Sequence, residues 1–308
     1  MSVIAVGIAP IFLLVAFGFL LRRRHIFEPR FWDNVERLVF YFLFPALLIS
    51  SIGSADLAGL DVLPIASVLI GATLLISIGA FVFRRLLVIP GRMFVSSFQG
   101  MTRPNTYLGL STAAALYGDA GIALIAICIV AVIPLVNFLA VIAHLRWADD
   151  AALSAPIPWA SALGSAIKNP VITGCLVGAA LNISGIGLPP LVGPFLVLIG
   201  KAALPLGLMA VGAGLDLTKL GEHRHNLGWT TAIKLLVSPA LTWLLCGLFG
   251  VEGISLAICV LFAALPVSAT SYVMARQMGG DGELMAGLVT ATTLFSALTL
   301  PLVALIFL

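Results

Sequence analysis

The sequence predicts an all-α polytopic membrane protein with ten transmembrane helices. Hydrophobic residues make up 61% of the 308 positions, charged residues only 9%, and the mean hydropathy is +1.17. Apolar stretches of about 20 residues, the length that crosses the hydrocarbon core of a bilayer, recur along the whole chain. Proline positions in the first five stretches return in the next five, which indicates two related halves.

Each half contains five predicted spans, of which spans 2 and 6 have the least distinct ends. In chain order, spans 1 to 5 are Val3–Leu21, Leu38–Ile52, Leu63–Phe83, Phe94–Tyr117 and Gly121–Ala143. Spans 6 to 10 are Ala162–Ile183, Gly193–Leu215, Gly228–Phe249, Ile254–Ala275 and Leu284–Leu308.

Basic residues lie in alternate loops, so the positive-inside rule accounts for most of the net charge of +3 without a nucleic-acid partner. The loops predicted to be cytoplasmic contain Arg22, Arg23, Arg24, Arg30, Arg37, Arg84, Arg85, Arg92, Arg146, Lys168, Lys219, Arg224 and Arg276. The other loops contain Asp56, Asp61, Asp119 and Glu252. Both termini are therefore expected on the non-cytoplasmic side of the plasma membrane, the inner membrane in a bacterium. Because its basic residues follow the apolar stretch, span 1 is not interpreted as a cleaved signal peptide.

The repeated prolines predict two halves, residues 1–150 and 151–308. The matching positions are Pro10 with Pro170, Gly18 with Gly178, Pro45 with Pro205, Pro104 with Pro266, and Pro134 with Pro301. Because five spans is an odd number, the second half must enter the membrane from the opposite side, which predicts an inverted repeat. The alternative is that scattered prolines in apolar helices match by chance.

The most informative segment is Arg103-Pro104-Asn105 in the middle of span 4. Arginine at a helix centre costs roughly 2.5–3.5 kcal/mol on insertion scales, and proline interrupts the helical hydrogen bonds. Pro266 lies at the matching position of span 9. Irregular backbone at this depth is tolerated only inside protein or beside a water-filled cavity. We therefore expect spans 4 and 9 to be broken helices that cross, although each proline alone would also fit a simple kink.

Helix starts carry partial positive charge and favour an anion. The predicted substrate-binding residues are Arg103, Pro104, Asn105, Thr106, Pro266, Ser268, Thr270 and Ser271, with Gln99, Asn137, Lys201, Tyr272 and Thr292 as possible additional contacts. The guanidinium of Arg103 suits bidentate recognition of a carboxylate. Alternatively, Arg103 reaches a leaflet or neutralises carbonyl groups at the break. Lys201, Lys234 and Arg276 are interpreted as snorkelling cations near span ends.

Several functions are disfavoured by what the spans lack. The carboxylates lie at or near span ends, which disfavours a sodium/proton antiporter. The four histidines, His25, His144, His223 and His225, are assigned to loops, so metalloprotease chemistry within the membrane is not expected. The four single cysteines are interpreted as packing residues. No enzyme activity, catalytic residue, metal site or cofactor is predicted.

Two segments resemble the auxin efflux carrier family, which includes plant auxin exporters and bacterial carriers of small organic acids. They are Pro104-Asn105-Thr106 followed by Leu116-Tyr117-Gly118, and Leu265-Pro266 followed by Tyr272-Val273-Met274-Ala275-Arg276 and Gly279-Gly280-Asp281. The resemblance covers essentially the whole chain. It implies a substrate site at crossed helices 4 and 9, with Asn105 as a contact. It also implies an elevator movement of spans 3–5 and 8–10 against a homodimeric scaffold of spans 1, 2, 6 and 7.

The expected function is secondary transport of a small organic anion, a mono- or dicarboxylate, since Arg103 and a short central loop separate this chain from the plant members. Besides the substrate, membrane lipids and a coupling ion, either proton or sodium, are the possible partners. The alternatives are an anion channel of the same architecture and a non-transporting membrane sensor.

Overall fold

The computed structural model of the protein describes residues 2–54, 62–84, 89–148, 169–221 and 223–307. Within these ranges the regular structure is helical, apart from one isolated antiparallel bridge between Pro104 and Val267. The all-α prediction is thus confirmed for the described residues. Helical stretches that are long and apolar enough to cross a membrane are Arg30–Ser54, Val62–Phe83, Thr106–Trp147, Val192–Ala213, Arg224–Phe249 and Gly282–Ile306. These stretches agree with a polytopic membrane protein.

The described residues of the first half form six α-helices. They are α1 (Ser2–Arg23), α2 (Pro29–Leu38), α3 (Phe44–Ser54), α4 (Val62–Phe83), α5 (Gly91–Thr102) and α6 (Thr106–Trp147). A π-helical turn, Val39–Leu43, joins α2 to α3. The long α6 consists of two helical parts, because Gly118 has φ 58° and ψ −141° and interrupts the helical backbone. Glycine accepts this positive φ without the steric penalty of a Cβ.

The second half contains eight further helices among the described residues. They are α7 (Pro170–Ile183), α8 (Val192–Gly200), α9 (Ala203–Ala213), α10 (Arg224–Ala232), α11 (Ser238–Phe249), α12 (Gly253–Ala263), α13 (Thr270–Gln277) and α14 (Gly282–Phe307). A 3-10 helix, Leu217–Gly221, precedes α10, and a π-helical turn, Ile233–Val237, joins α10 to α11. Neither π-helical turn is foreseen by the hydropathy pattern.

Some predicted features lie outside the described residues. They are the boundary between the halves at residues 150 and 151, the first part of predicted span 6 at residues 162–168, the last residue of span 10, and the charges Asp56, Asp61, Arg85 and Lys168.

The chain divides into two compact units. Unit 1 comprises Met1–Asp61, Tyr107–Val130 and Ile167–Gly214. Its helices approach closely at glycines: a Cβ at Gly18 in α1 would overlap the backbone of Met209 in α9. A Cβ at Gly178 in α7 would come within 3.2 Å of the Cα of Ile49 in α3. Small residues at these positions let the helix backbones pack together, as in other helix pairs of membrane proteins.

Unit 2 comprises Val62–Thr106, Ala131–Ala166 and Leu215–Leu308. Aromatic side chains from three helices form part of its core, where Phe98 of α5 stacks on Phe81 of α4 at a centroid distance of 4.8 Å. Trp147, at the end of α6, packs edge-on against Phe94. This packing fixes α5, whose last residue, Thr102, lies directly before the Arg103-Pro104-Asn105 segment.

Candidate functional site

Two non-helical segments of unit 2 lie side by side. The first lies between the end of α5 at Thr102 and the start of α6 at Thr106. The second lies between the end of α12 at Ala263 and the start of α13 at Thr270. Proline explains both interruptions, since Pro104 and Pro266 lack the N–H that a helix requires.

Backbone hydrogen bonds join the two segments. The N–H of Asn105 donates to the carbonyl of Pro266 at 2.8 Å, and the N–H of Ser268 donates to the carbonyl of Arg103 at 3.4 Å. The N–H of Val267 donates instead to the hydroxyl of Thr292 in α14, at 3.0 Å. Thr292, a predicted possible contact, thus satisfies a buried backbone donor of the second segment.

The guanidinium of Arg103 has few protein partners. Its Nη1 donates to Oε1 of Gln99 at 3.1 Å and contacts Sδ of Met274 at 2.6 Å. No carboxylate among the described residues lies within ion-pair distance of it. A guanidinium has five N–H donors, and those of Nε and Nη2 have no hydrogen-bond partner in the described part of the chain. The charge of Arg103 is therefore not balanced by a carboxylate among the described residues.

A short chain of hydrogen bonds holds Gln99 against Arg103. Nδ1 of His144 is 2.8 Å from the carbonyl of Ala140, and Nε2 of His144 is 3.2 Å from Nε2 of Gln99. A carbonyl can only accept, so Nδ1 donates to it, and Nε2 then accepts from the Gln99 amide. This arrangement turns Oε1 of Gln99 towards Arg103. The prediction that every histidine lies in a loop is wrong for His144, which is buried in the last turn of α6.

The start of α13 offers hydroxyl groups. Ser268 and Thr270 form a hydrogen bond to each other at 2.9 Å between their hydroxyl oxygens. The hydroxyl of Ser271 is buried and has no hydrogen-bond partner among the described residues. Since buried polar groups are normally paired, Ser271 is a candidate ligand contact. Tyr272 instead pairs with Arg276, whose guanidinium lies 5.9 Å from the centre of the tyrosine ring.

The remaining predicted residues are less closely tied to this region. Asn105 and Pro266 are buried and Thr106 is half-buried at the start of α6. Asn137 is half-buried in α6, and its side chain makes no hydrogen bond among the described residues. Lys201 belongs to unit 1, where it is exposed at the end of α8.

Lys234 is buried, contrary to the prediction from the sequence. The interpretation that it snorkels is wrong, because its side chain is only 3% exposed. Its Nζ donates to the carbonyl of Ala263 at 3.3 Å. Sequence position alone did not reveal this burial, because the π-helical turn that contains Lys234 carries no hydropathy signal.

These features define a class of protein. A cation that has no acidic partner among the described residues and lies beside the ends of apolar helices is typical of membrane transporters. The family model described as "Membrane transport protein" matches the chain at residues 3–156 and 157–304. The chain belongs to this family, that of the auxin efflux carriers, which confirms the resemblance noted in the sequence.

Two relatives agree with this assignment. A protein of Methanothermobacter thermautotrophicus named "Uncharacterized transporter" is 22% identical over 296 residues, which cover 95% of this chain and 94% of the relative. A protein of Rhizobium meliloti named "Putative malonate transporter" is 31% identical over 102 residues, which cover 33% of this chain and 32% of the relative. The family and these relatives are transporters, so the protein is a membrane transporter and not an enzyme.

Proposed function

We propose that the protein is a secondary transporter of a small organic anion, with a dicarboxylate of the size of malonate as its substrate. The observation that carries the proposal is the guanidinium of Arg103, which has no carboxylate partner among the described residues and keeps N–H donors free beside two helix starts. The malonate name of one relative supports the size and charge of the ligand, although that match covers only a third of the chain.

In the proposed complex, Arg103 binds one carboxylate through Nε and Nη2. Paired parallel N–H donors match the two oxygens of a carboxylate. The second carboxylate lies near the start of α13, where Ser271 supplies a buried hydroxyl without a partner and Ser268 and Thr270 supply two more. The side chains of Asn105 and Thr106, at the start of α6, complete the site. The helix starts add partial positive charge.

We also propose that the ten predicted spans form an inverted repeat. Two sets of contacts support this. Gly178 lies 160 residues after Gly18, and Met209 lies 160 residues after Ile49. The contact of Gly18 with Met209 and the contact of Gly178 with Ile49 therefore join equivalent positions of the two halves, with the halves interchanged. The antiparallel pairing of Pro104 with Val267 is likewise the direction expected if spans 4 and 9 are related by a two-fold axis in the membrane plane.

An elevator-type movement is the proposed transport mechanism, in which unit 2 carries the bound anion and unit 1 belongs to a homodimeric scaffold. Unit 1 contains the helices of predicted spans 1, 2, 6 and 7, as the proposal requires. It also contains Tyr107–Val130, which the sequence had assigned to the moving domain. We propose both termini on the non-cytoplasmic face of the plasma membrane, in keeping with the alternation of basic and acidic loops.

Uptake of labelled malonate into proteoliposomes tests this function. A carrier is expected to give saturable uptake that accelerates when unlabelled malonate is present on the opposite side. An anion channel of the same architecture is expected to give single-channel current and no such acceleration. Thermal shifts of the purified protein with mono- and dicarboxylates, amino acids and indole acids identify the preferred ligand, because binding to the native state raises its stability. If none of the tested acids raised the melting temperature and none was taken up, the proposal would be contradicted.

A further inference from the structure

The carbonyl end of α12 is occupied by a buried lysine. Helix α12 ends at Ala263, directly before the segment that pairs with Pro104. The carbonyl end of a helix carries partial negative charge. In secondary transporters with interrupted helices, such carbonyl ends coordinate the coupling cation. Here the ammonium of Lys234 reaches the carbonyl of Ala263 at 3.3 Å.

Lys234 is placed there by irregular backbone. It lies in the π-helical turn Ile233–Val237, and such turns occur frequently at functional sites. No carboxylate of the described residues lies within ion-pair distance of its Nζ. An ammonium buried to this extent requires compensation, and among the described groups the end of α12 supplies the hydrogen bond. The pairing is therefore one between a side-chain cation and a helix end.

A small cavity adjoins this lysine. It has a volume of about 20 Å³, and Lys234, Ala263, Thr102, Pro104 and Thr242 are among its lining residues. That is room for about one water molecule, and too little for a dicarboxylate. The hydroxyl of Thr102 donates to the carbonyl of Phe98, and that of Thr242 donates to the carbonyl of Ser238. Both hydroxyl hydrogens are thereby engaged within their helices, so the two threonine oxygens are left as acceptors, the groups that a cation needs.

We infer that Lys234 is a built-in substitute for a coupling cation, and that the protein binds and transports its anion without sodium. This inference rests on the proposed transport function. The ammonium supplies at the end of α12 the positive charge that a bound sodium ion would otherwise supply. Removal of the ammonium frees the carbonyl of Ala263 beside a small cavity that Thr102 and Thr242 also line, and such a group of oxygen-bearing residues is suited to a small monovalent cation.

The first test uses substrate-free protein, so its result does not depend on transport. The melting temperatures of wild type, Lys234→Ala and Lys219→Ala are measured in sodium chloride and in choline chloride at equal ionic strength. Lys219 is the matched control, because it forms an exposed ion pair with Glu283 at 3.1 Å. We expect Lys234→Ala alone to be stabilised by sodium, by about 2 °C or more. Equal melting temperatures of this variant in the two salts would overturn the inference.

The second test uses wild-type protein and holds even if Lys234→Ala fails to fold. Malonate uptake into proteoliposomes is compared between sodium and choline at a fixed membrane potential. The inference predicts equal rates, whereas a several-fold dependence on sodium would overturn it. A failure of the proposed function is distinguishable, because it would remove uptake in both salts and leave the stability measurements unaffected. Lys234→Arg, which keeps a cation in place, is expected to remain insensitive to sodium.

Discussion

Replacement of Arg103 by alanine is the sharpest perturbation of the proposed site. In wild type, Nη1 is engaged with Gln99 and Met274, and Nε and Nη2 are left for a carboxylate. Two charge-assisted hydrogen bonds are worth about 1.5–3 kcal/mol each. Their loss is therefore expected to cost at least about 3 kcal/mol, which is about a 100-fold weaker Kd.

Folding is expected to survive this change. Arg103 has no acidic partner among the described residues, so its removal leaves no carboxylate stranded. The substrate-free variant loses only the contacts with Gln99 and Met274, about 1 kcal/mol of stability. Arg103→Lys keeps the charge but not the paired donors, so its affinity should lie between those of wild type and Arg103→Ala.

Binding is measured by titration calorimetry with malonate, and folding by the melting temperature without ligand. Arg224→Ala is the control, because Arg224 is an exposed arginine of the same unit at the start of α10. It should bind as wild type does. A folded Arg103→Ala protein whose Kd lies within about threefold of wild type, less than 1 kcal/mol, would refute the assignment. Arg103 would then have a structural role.

Three further predictions follow from contacts in the structure. Gln99→Glu places a carboxylate about 3.1 Å from Nη1 of Arg103, where it would neutralise the charge of the guanidinium. Calorimetry should therefore show weaker malonate binding by Gln99→Glu than by Gln99→Leu. Equal affinities of the two variants would contradict the conclusion that Arg103 has no carboxylate partner in wild type. Thr292→Val should destabilise the protein by about 1–3 kcal/mol in thermal unfolding, because it leaves the buried N–H of Val267 without its acceptor. The control Thr293→Val should be neutral or stabilising, because the buried hydroxyl of Thr293 has no partner among the described residues. Gly18→Ala should destabilise the protein, because the added Cβ would overlap the backbone of Met209. The control Gly79→Ala meets open space and should raise the stability by up to about 1 kcal/mol, because alanine has a higher helix propensity than glycine. Stability changes of the same sign in the two variants would argue against the tight packing of α1 on α9.

Hydropathy and proline placement predicted the helical class and drew attention to the Arg103 segment, because both depend on local composition. They did not predict the neighbours of His144. The apolar run ends at Ala143, but the helix continues to Trp147, so a residue assigned to a loop becomes a buried partner of Gln99. Which side chain a polar residue meets depends on the packing of distant helices, and a single sequence contains no direct signal for that.

The burial of Lys234 was not predicted for a related reason. A lysine near a span end usually extends its amine to the interface, and that generality failed because Lys234 lies in a π-helical turn. Such an insertion rotates the residues that follow it relative to a regular helix. A hydropathy window, which averages over about 19 residues, cannot detect a rotation of this kind.

Two basic residues of unit 2, Arg103 and Lys234, lie beside the carbonyl ends of helices next to the paired segments, and their placement bears on the charge of the substrate. Arg103 directly follows Thr102, the last residue of α5, and Lys234 reaches the carbonyl of Ala263, the last residue of α12. The ammonium of Lys234 therefore complements the negative pole of α12, whereas the guanidinium of Arg103 contacts Gln99 and Met274 beside the end of α5. The two helix starts, at Thr106 and Thr270, have no acidic residue in their first turns. A region with basic residues beside two carbonyl ends and no acidic residue in the first turns of two helix starts favours an anion over a cation, which supports the proposed class of substrate without depending on which anion it is.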